Sequence, residues 1–139
     1  IIYDNKSINV NYIAITMDIE ELGRKIIGLG IEVHRYLGPG LLEGIYERCL
    51  FEEFNLNGLN CKRQVPLNVR YKGVDMGVGY SMDLVVEDSI VLELKSVEKL
   101  NDLHKAQILT YLKISEIKVG YLMNFNSTRL VDQLRKFNL

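Results

Sequence analysis

Tyr80-Ser81-Met82-Asp83-Leu84-Val85-Val86-Glu87-Asp88-Ser89-Ile90-Val91-Leu92-Glu93-Leu94-Lys95 is the stretch whose reading decides the fold. Two apolar, β-branched-rich runs flank a polar Glu87-Asp88-Ser89, the pattern of two strands joined by a tight turn. Residues i and i+2 of a strand share a face, so Glu93 and Lys95 point one way and Leu92 and Leu94 the other. With the turn centred on Asp88, position 83 falls opposite position 93. Asp83, Glu93 and Lys95 then meet on one patch of sheet. Three charges in an apolar hairpin are costly unless they neutralise one another or bind something. Two chemistries answer that cost. One is a buried salt-bridge cluster. The other is a site in which Asp83 and Glu93 hold a hard divalent cation such as magnesium, with Lys95 orienting water or offsetting phosphate charge.

Upstream of this hairpin, Val65, Leu67, Val69 and Tyr71 alternate with polar residues, and Lys72-Gly73 forms a turn. A meander of three strands follows: Cys61 to Tyr71, Val74 to Val86 (loosened by Gly77 and Gly79) and Ile90 to Ser96. Further upstream, Asp18 is an N-cap. Ile19, Leu22, Ile26, Leu29, Val33 and Tyr36 make one helical face. Gly38-Pro39-Gly40 ends that helix, and a second runs from Leu41 to Leu56 with Gly58 behind it. Downstream, the pattern predicts a helix over 101–112 capped by Asn101, an apolar strand over 117–125, and a short amphipathic helix opened by Asn126-Ser127-Thr128 and ending near Phe137. The order is α-α-β-β-β-α-β-α, one α/β domain over 18–139 with a central mixed sheet flanked by helices. Residues 1–17 read as an extended N-terminal arm in which Ile8, Val10, Tyr12 and Ala14 alternate with their neighbours.

The chain has 139 residues, enough to bury a core without staples. Its 17 basic and 18 acidic residues give a net charge of −1, which excludes a strongly basic nucleic-acid coat and an acidic solvating tail. The sheet half carries a small basic surplus and the helical half an acidic one. Cys49 and Cys61 are too few for a disulfide framework and lack zinc-site spacing, so they read as free thiols of a reducing, cytoplasmic compartment. No apolar run is long enough to span a membrane, and polar residues interrupt any signal-peptide core at the start.

Several stretches share an order with a known family. Gly40-Leu41-Leu42-Glu43-Gly44-Ile45-Tyr46, Leu37-Gly38-Pro39-Gly40, Gln64-Val65-Pro66-Leu67, Gln107-Ile108-Leu109-Thr110-Tyr111 and Asn124-Phe125-Asn126 accompany Asp83 and the Glu93-x-Lys95 pair. Together, over residues 18–139, they resemble the GxxExxY family of the PD-(D/E)XK nuclease superfamily. That resemblance implies a restriction-endonuclease-like core and a magnesium- or manganese-dependent phosphodiesterase acting on DNA or RNA. It implies Asp83 and Glu93 as metal ligands, joined by the Leu94 carbonyl, and Lys95 as the group that positions water or the scissile phosphate. It implies Glu43 as a further acid and Gln107 as a site residue, with Tyr111 lining or buttressing the site. Met82 stands where the superfamily name has proline, a change that leaves the ligands untouched.

Other readings of the same residues stand beside these. Glu43 also suits an ordinary first-turn acid on the helix dipole, and Tyr46 and Tyr111 suit packed aromatics. His104, three residues before Gln107, either borders the site as a substrate-binding residue or is a surface histidine. His34 is within reach of Glu43 across the Gly-Pro-Gly corner. The alternative function is structural: a nuclease fold used as the subunit of a ring, tube or filament, cytoplasmic or extracellular, closed by the arm on a neighbouring sheet edge.

Overall fold

A computed structural model of the chain describes residues 17–139. The arm expected over 1–17, and the subunit contact expected of it, lie outside the described residues but for Met17. The elements run α1 (Ile19–Leu37), α2 (Glu43–Leu56), β1 (Cys61–Tyr71), β2 (Val74–Val86), β3 (Ile90–Lys95), α3 (Asp102–Ser115), β4 (Val119–Asn124), a 3-10 turn (Leu130–Gln133) and β5 (Leu134–Asn138). The five strands form one sheet in sequence order. β3 and β4 are parallel, connected through α3; every other pair is antiparallel.

The local signals act as their chemistry requires. The Asp18 carboxylate accepts from Glu21 N–H at 2.8 Å and caps α1. Asn101 caps α3 by accepting from His104 N–H at 3.0 Å. Glu87 and Asp88 both hold positive φ in the turn closed by Ser89 N–H on the Val86 carbonyl. That turn sets the register Leu84↔Leu92, Val85↔Val91 and Val86↔Ile90, which places 83 opposite 93.

α1 and α2 cover one face of the sheet. Leu22, Ile26, Val33, Tyr46, Leu50 and Phe54 pack there on Leu84, Val86, Ile90, Leu92, Leu94, Tyr121, Met123 and Phe125. Gly23 lets α1 lie close to the sheet here, since a Cβ would push on the Tyr121 hydroxyl. α3 covers the other face through Ile108, Tyr111 and Leu112, with Leu67, Met82, Val85 and Val91 beneath. Two residues of the expected α1 face, Ile19 and Tyr36, are exposed, since each sits in a terminal turn.

The C-terminal helix is corrected. Leu130, Leu134 and Phe137 fall at helical spacing, but the chain makes one 3-10 turn and then a strand. β4 is buried along its whole length, and without β5 its outer edge would leave backbone groups unpaired. Leu134 to Asn138 fills that edge, pairing Met123↔Leu134 through Val119↔Asn138.

Candidate active site

The parallel entry of β4 forces β3 into the centre of the sheet, so the side chains of β3 that face α3 are buried. Glu93 is 4% exposed. Its Oε1 pairs with Lys95 Nζ at 3.4 Å, and its Oε2 is buried with no hydrogen-bond partner. Asp83 reaches across from β2. Its Oδ2 accepts from Leu94 N–H at 2.9 Å and its Oδ1 from Gln64 Nε2 at 3.3 Å. Burial raises both carboxyls, and Asp83 raises Glu93 further. Glu93 is pushed up to about 8, by desolvation and then by Asp83, against the opposing pull of Lys95. Asp83 is raised by desolvation and by Glu47 and Glu43, while the Leu94 N–H holds it down in part.

α3 supplies the other wall. Lys95 Nζ donates to Gln107 Oε1 at 3.2 Å, and Gln107 Nε2 donates to the Tyr111 hydroxyl at 2.7 Å. Gln107 and Tyr111 are one helical turn apart, so a single helix face holds both ends of this relay. Burial and the facing Glu93 push the Tyr111 hydroxyl up to about 12, and it stays protonated. Tyr80 packs edge-on against Tyr111 with ring centroids 5.5 Å apart.

Glu43 enters from α2. Its Oε1 accepts from Ser96 N–H at 3.3 Å, at the residue following Lys95. The Gly-Pro-Gly corner sets its position. Gly38 and Gly40 both hold positive φ, and the Tyr46 hydroxyl donates to the Gly38 carbonyl at 2.5 Å while accepting from Leu41 N–H at 3.2 Å. Tyr46 is fully buried and stacked on Phe125. In the G-x-x-E-x-x-Y stretch, the glycine therefore makes the bend, the tyrosine pins it, and the glutamate between them reaches the end of β3.

The two histidines are occupied elsewhere. His34 Nε2 meets the Phe125 and Ser127 carbonyls at 3.2 and 2.9 Å, so it fastens the loop after β4 rather than bonding Glu43. His104 Nδ1 accepts from Asn101 N–H at 3.2 Å, closing the cap of α3. Cys49 and Cys61 are free, and burial pushes the Cys61 thiol up to about 12, which leaves it unreactive.

Three residues not singled out as site residues join the constellation. Gln64 sits at positive φ between the pairs Arg63↔Leu84 and Val65↔Met82, so Gln64, Asp83 and Glu93 form a row across three strands. Its amide bridges Asp83 and Glu47, and its Oε1 accepts from Ser81 Oγ at 2.8 Å. Glu47, one turn after Glu43, is buried and paired with Arg63 at 3.0 Å. Buried Asn124 accepts from Val97 N–H at 3.1 Å and donates to its carbonyl at 2.9 Å, holding the chain as it leaves β3. The i, i+4 spacing of Glu43 and Glu47 was the one local sign of Glu47. For Gln64 the sign was its place in the Gln64-Val65-Pro66-Leu67 stretch.

Among the described residues, no group of three or more histidine, cysteine or carboxylate side chains is arranged to hold a metal ion. The donors that do meet are two carboxylates, both raised by burial and by neighbouring carboxylates, one with an orphaned oxygen. That set fits a hard divalent cation that keeps most of its other positions for water or phosphate oxygen.

The fold and site define a nuclease-like α/β domain. The family model of the PD-(D/E)XK nuclease superfamily matches residues 20–137, and the chain belongs to that superfamily, with its restriction-endonuclease-like fold. No curated protein and no solved structure gives a significant match. No helix among the described residues is long and apolar enough to cross a membrane.

Proposed function

We propose that this chain is a divalent-metal-dependent phosphodiesterase of the GxxExxY branch, hydrolysing DNA or RNA through Asp83, Glu93 and Lys95. One observation carries the reading: a buried carboxylate oxygen, Glu93 Oε2, has no partner although Asp83 and Lys95 lie beside it. A structural ion pair would satisfy that oxygen; a ligand position leaves it for a cation. Asp83 and Glu93 would hold magnesium or manganese, which when bound supplies charge stabilisation on the phosphoryl oxygens and a more acidic water.

The chain's own residues do the rest. Lys95, fixed between Glu93 and Gln107, presents a cation to a phosphate oxygen or to the attacking water. Gln107 keeps its carbonyl on Lys95 because Tyr111 accepts from its amide. The backbone N–H of Leu94 and the Gln64 amide fix the Asp83 carboxylate. Glu43 adds an acid at the open rim. Free thiols favour a reducing, cytoplasmic setting. The test is cleavage of labelled single- and double-stranded DNA and RNA with magnesium or manganese. Wild type cleaves at least one substrate and Lys95→Ala does not; equal inertness of both on every substrate overturns the reading.

A further inference from the structure

The outer part of the β1–β2 hairpin stands clear of the rest of the sheet. β3 pairs with β2 only at Leu84, Val85 and Val86, so from Val74 to Asp83 the described partner of β2 is β1 alone. Register shifts after Leu67 and after Asn68 interrupt that pairing, and Gly77 holds positive φ with its N–H on Asp75 Oδ1 at 2.8 Å. Bulges of this kind twist a ribbon, blunt its edge against a further strand, and recur beside active sites, where they re-aim side chains. The tip nonetheless exposes large apolar groups: Tyr71, Val74, Met76 and Val78 are 61% to 67% exposed. With strand addition blunted, these groups are left to meet a partner through their side chains. The root of the tip is the candidate site. Tyr80, 39% exposed, lies across from Leu67 and packs edge-on against Tyr111, whose hydroxyl accepts from Gln107, the partner of Lys95. Ser81, the next residue, donates to Gln64, which reaches Asp83. The half-open ring of Tyr80 therefore stands at the margin of the site.

We infer that this tip is an arm that receives the unpaired bases of a single-stranded nucleic acid, with Tyr80 as the platform on which the base nearest the cleaved phosphate stacks. It rests on the proposed phosphodiesterase reading and narrows the substrate to strands that are not paired. The chemistry of the tip chooses the partner. A duplex hides the faces of its bases and is held through its phosphates, each neutralised by a cation. Between Leu67 and Tyr80 stand two cations, Arg70 and Lys72, and one acid, Asp75, on a chain of net charge −1. Lys72 Nζ lies over the Tyr71 ring, 5.4 Å from its centroid, so one of the two cations already shares its place with an aromatic face. So few cations beside tyrosine, methionine and valine suit a strand whose bases are open. Every base has a face that stacks on an aromatic ring, and a strand held that way needs few ion pairs to its backbone.

The test is fluorescence anisotropy of the full chain with labelled oligo-dT of about 20 nucleotides, longer than a single-strand groove occupies, and with a blunt duplex of the same length. Both are titrated with calcium as the only divalent ion and again in EDTA, and melting curves verify that each variant folds. Wild type binds the single strand more tightly than the duplex. Tyr80→Ala weakens single-strand binding at least about fivefold, while Tyr80→Phe, which keeps the ring, stays within about twofold. Met76→Ser/Val78→Ser, at fully open positions, weakens it as well. Arg70→Gln/Lys72→Gln makes the slope of log affinity against log salt shallower by about 1.4. A preference for duplex overturns the inference and leaves the proposed function standing. So does single-strand affinity that Tyr80→Ala or Met76→Ser/Val78→Ser leaves unchanged. If Met76→Ser/Val78→Ser abolishes self-association in sedimentation and not binding, the tip belongs to a second copy, which equally overturns it. A wild type that binds neither form in either condition overturns the inference and the proposed function together.

Discussion

The two faces of β3 use the same burial to opposite ends. Towards α1 and α2 it presents Leu92 and Leu94, sealed in a dry core. Towards α3 it presents Val91, Glu93 and Lys95. On the first face, exclusion of water becomes stability through buried apolar area. On the second it becomes chemical tension: a carboxyl raised to about 8 and an oxygen with no partner. Alternation along six residues thus separates the groups that hold the fold from the groups proposed to act.

The largest expected effect falls on the charged face alone. Lys95→Ala is expected to lower cleavage by about 10³-fold, since it removes the cation that the proposed mechanism aims at the reacting phosphate. Its melting temperature moves by far less than that of a core truncation, as calorimetry and a labelled-substrate assay on the same preparation will show. Leu92→Ala sharpens the contrast from the other side. It costs about 2–5 kcal/mol in a denaturant titration, with residual activity following the folded fraction. If Lys95→Ala unfolds the protein while Leu92→Ala leaves it stable, the division between faces is broken.

A smaller effect separates the faces by pH. The folded pKa of Glu93 lies above its unfolded value of 4.5, so the metal-free folded state holds a proton that the unfolded chain has released. That contribution is fully present below about 4.5 and is lost as pH rises towards about 8. Asp83, also raised, acts in the same direction. Stability of the metal-free protein therefore falls across pH 5 to 8, by on the order of 1 kcal/mol per unit at most. In Glu93→Gln the slope flattens, leaving the Asp83 part. Parallel curves for the two proteins would contradict the account. The smallest effect is that of Tyr111→Phe, which removes the acceptor of the Gln107 amide. It costs about 0.5–1.5 kcal/mol and a few-fold in cleavage; an unchanged rate would make Tyr111 packing only.

Much of this was legible in the sequence because its causes are local. The turn at Asp88 sets which residues of one hairpin face each other, and strand alternation separates Glu93 from Leu92 without further knowledge. The end of the chain was not legible. Leu130, Leu134 and Phe137 satisfy a helical period, and only the open edge of β4, made by a parallel pairing far back in the chain, turns Leu134–Asn138 into a strand. Gln64 and Glu47 were hidden for the same reason. Gln64 reaches Asp83 through the β1–β2 register and Glu47 reaches Gln64 through the seating of α2, and the sequence carries only faint local signs of either.

Cation binding measured with its proton release tests the central claim most directly: that the α3 face of β3 holds a carboxylate pair poised for a divalent ion. Wild type is titrated with magnesium or manganese at pH 7 by calorimetry in buffers of different ionisation enthalpy. The account predicts binding with release of a proton from Glu93, a rise in melting temperature, and loss of both in Asp83→Asn and Glu93→Gln. Binding with no proton released, or the same binding in both variants, would contradict it.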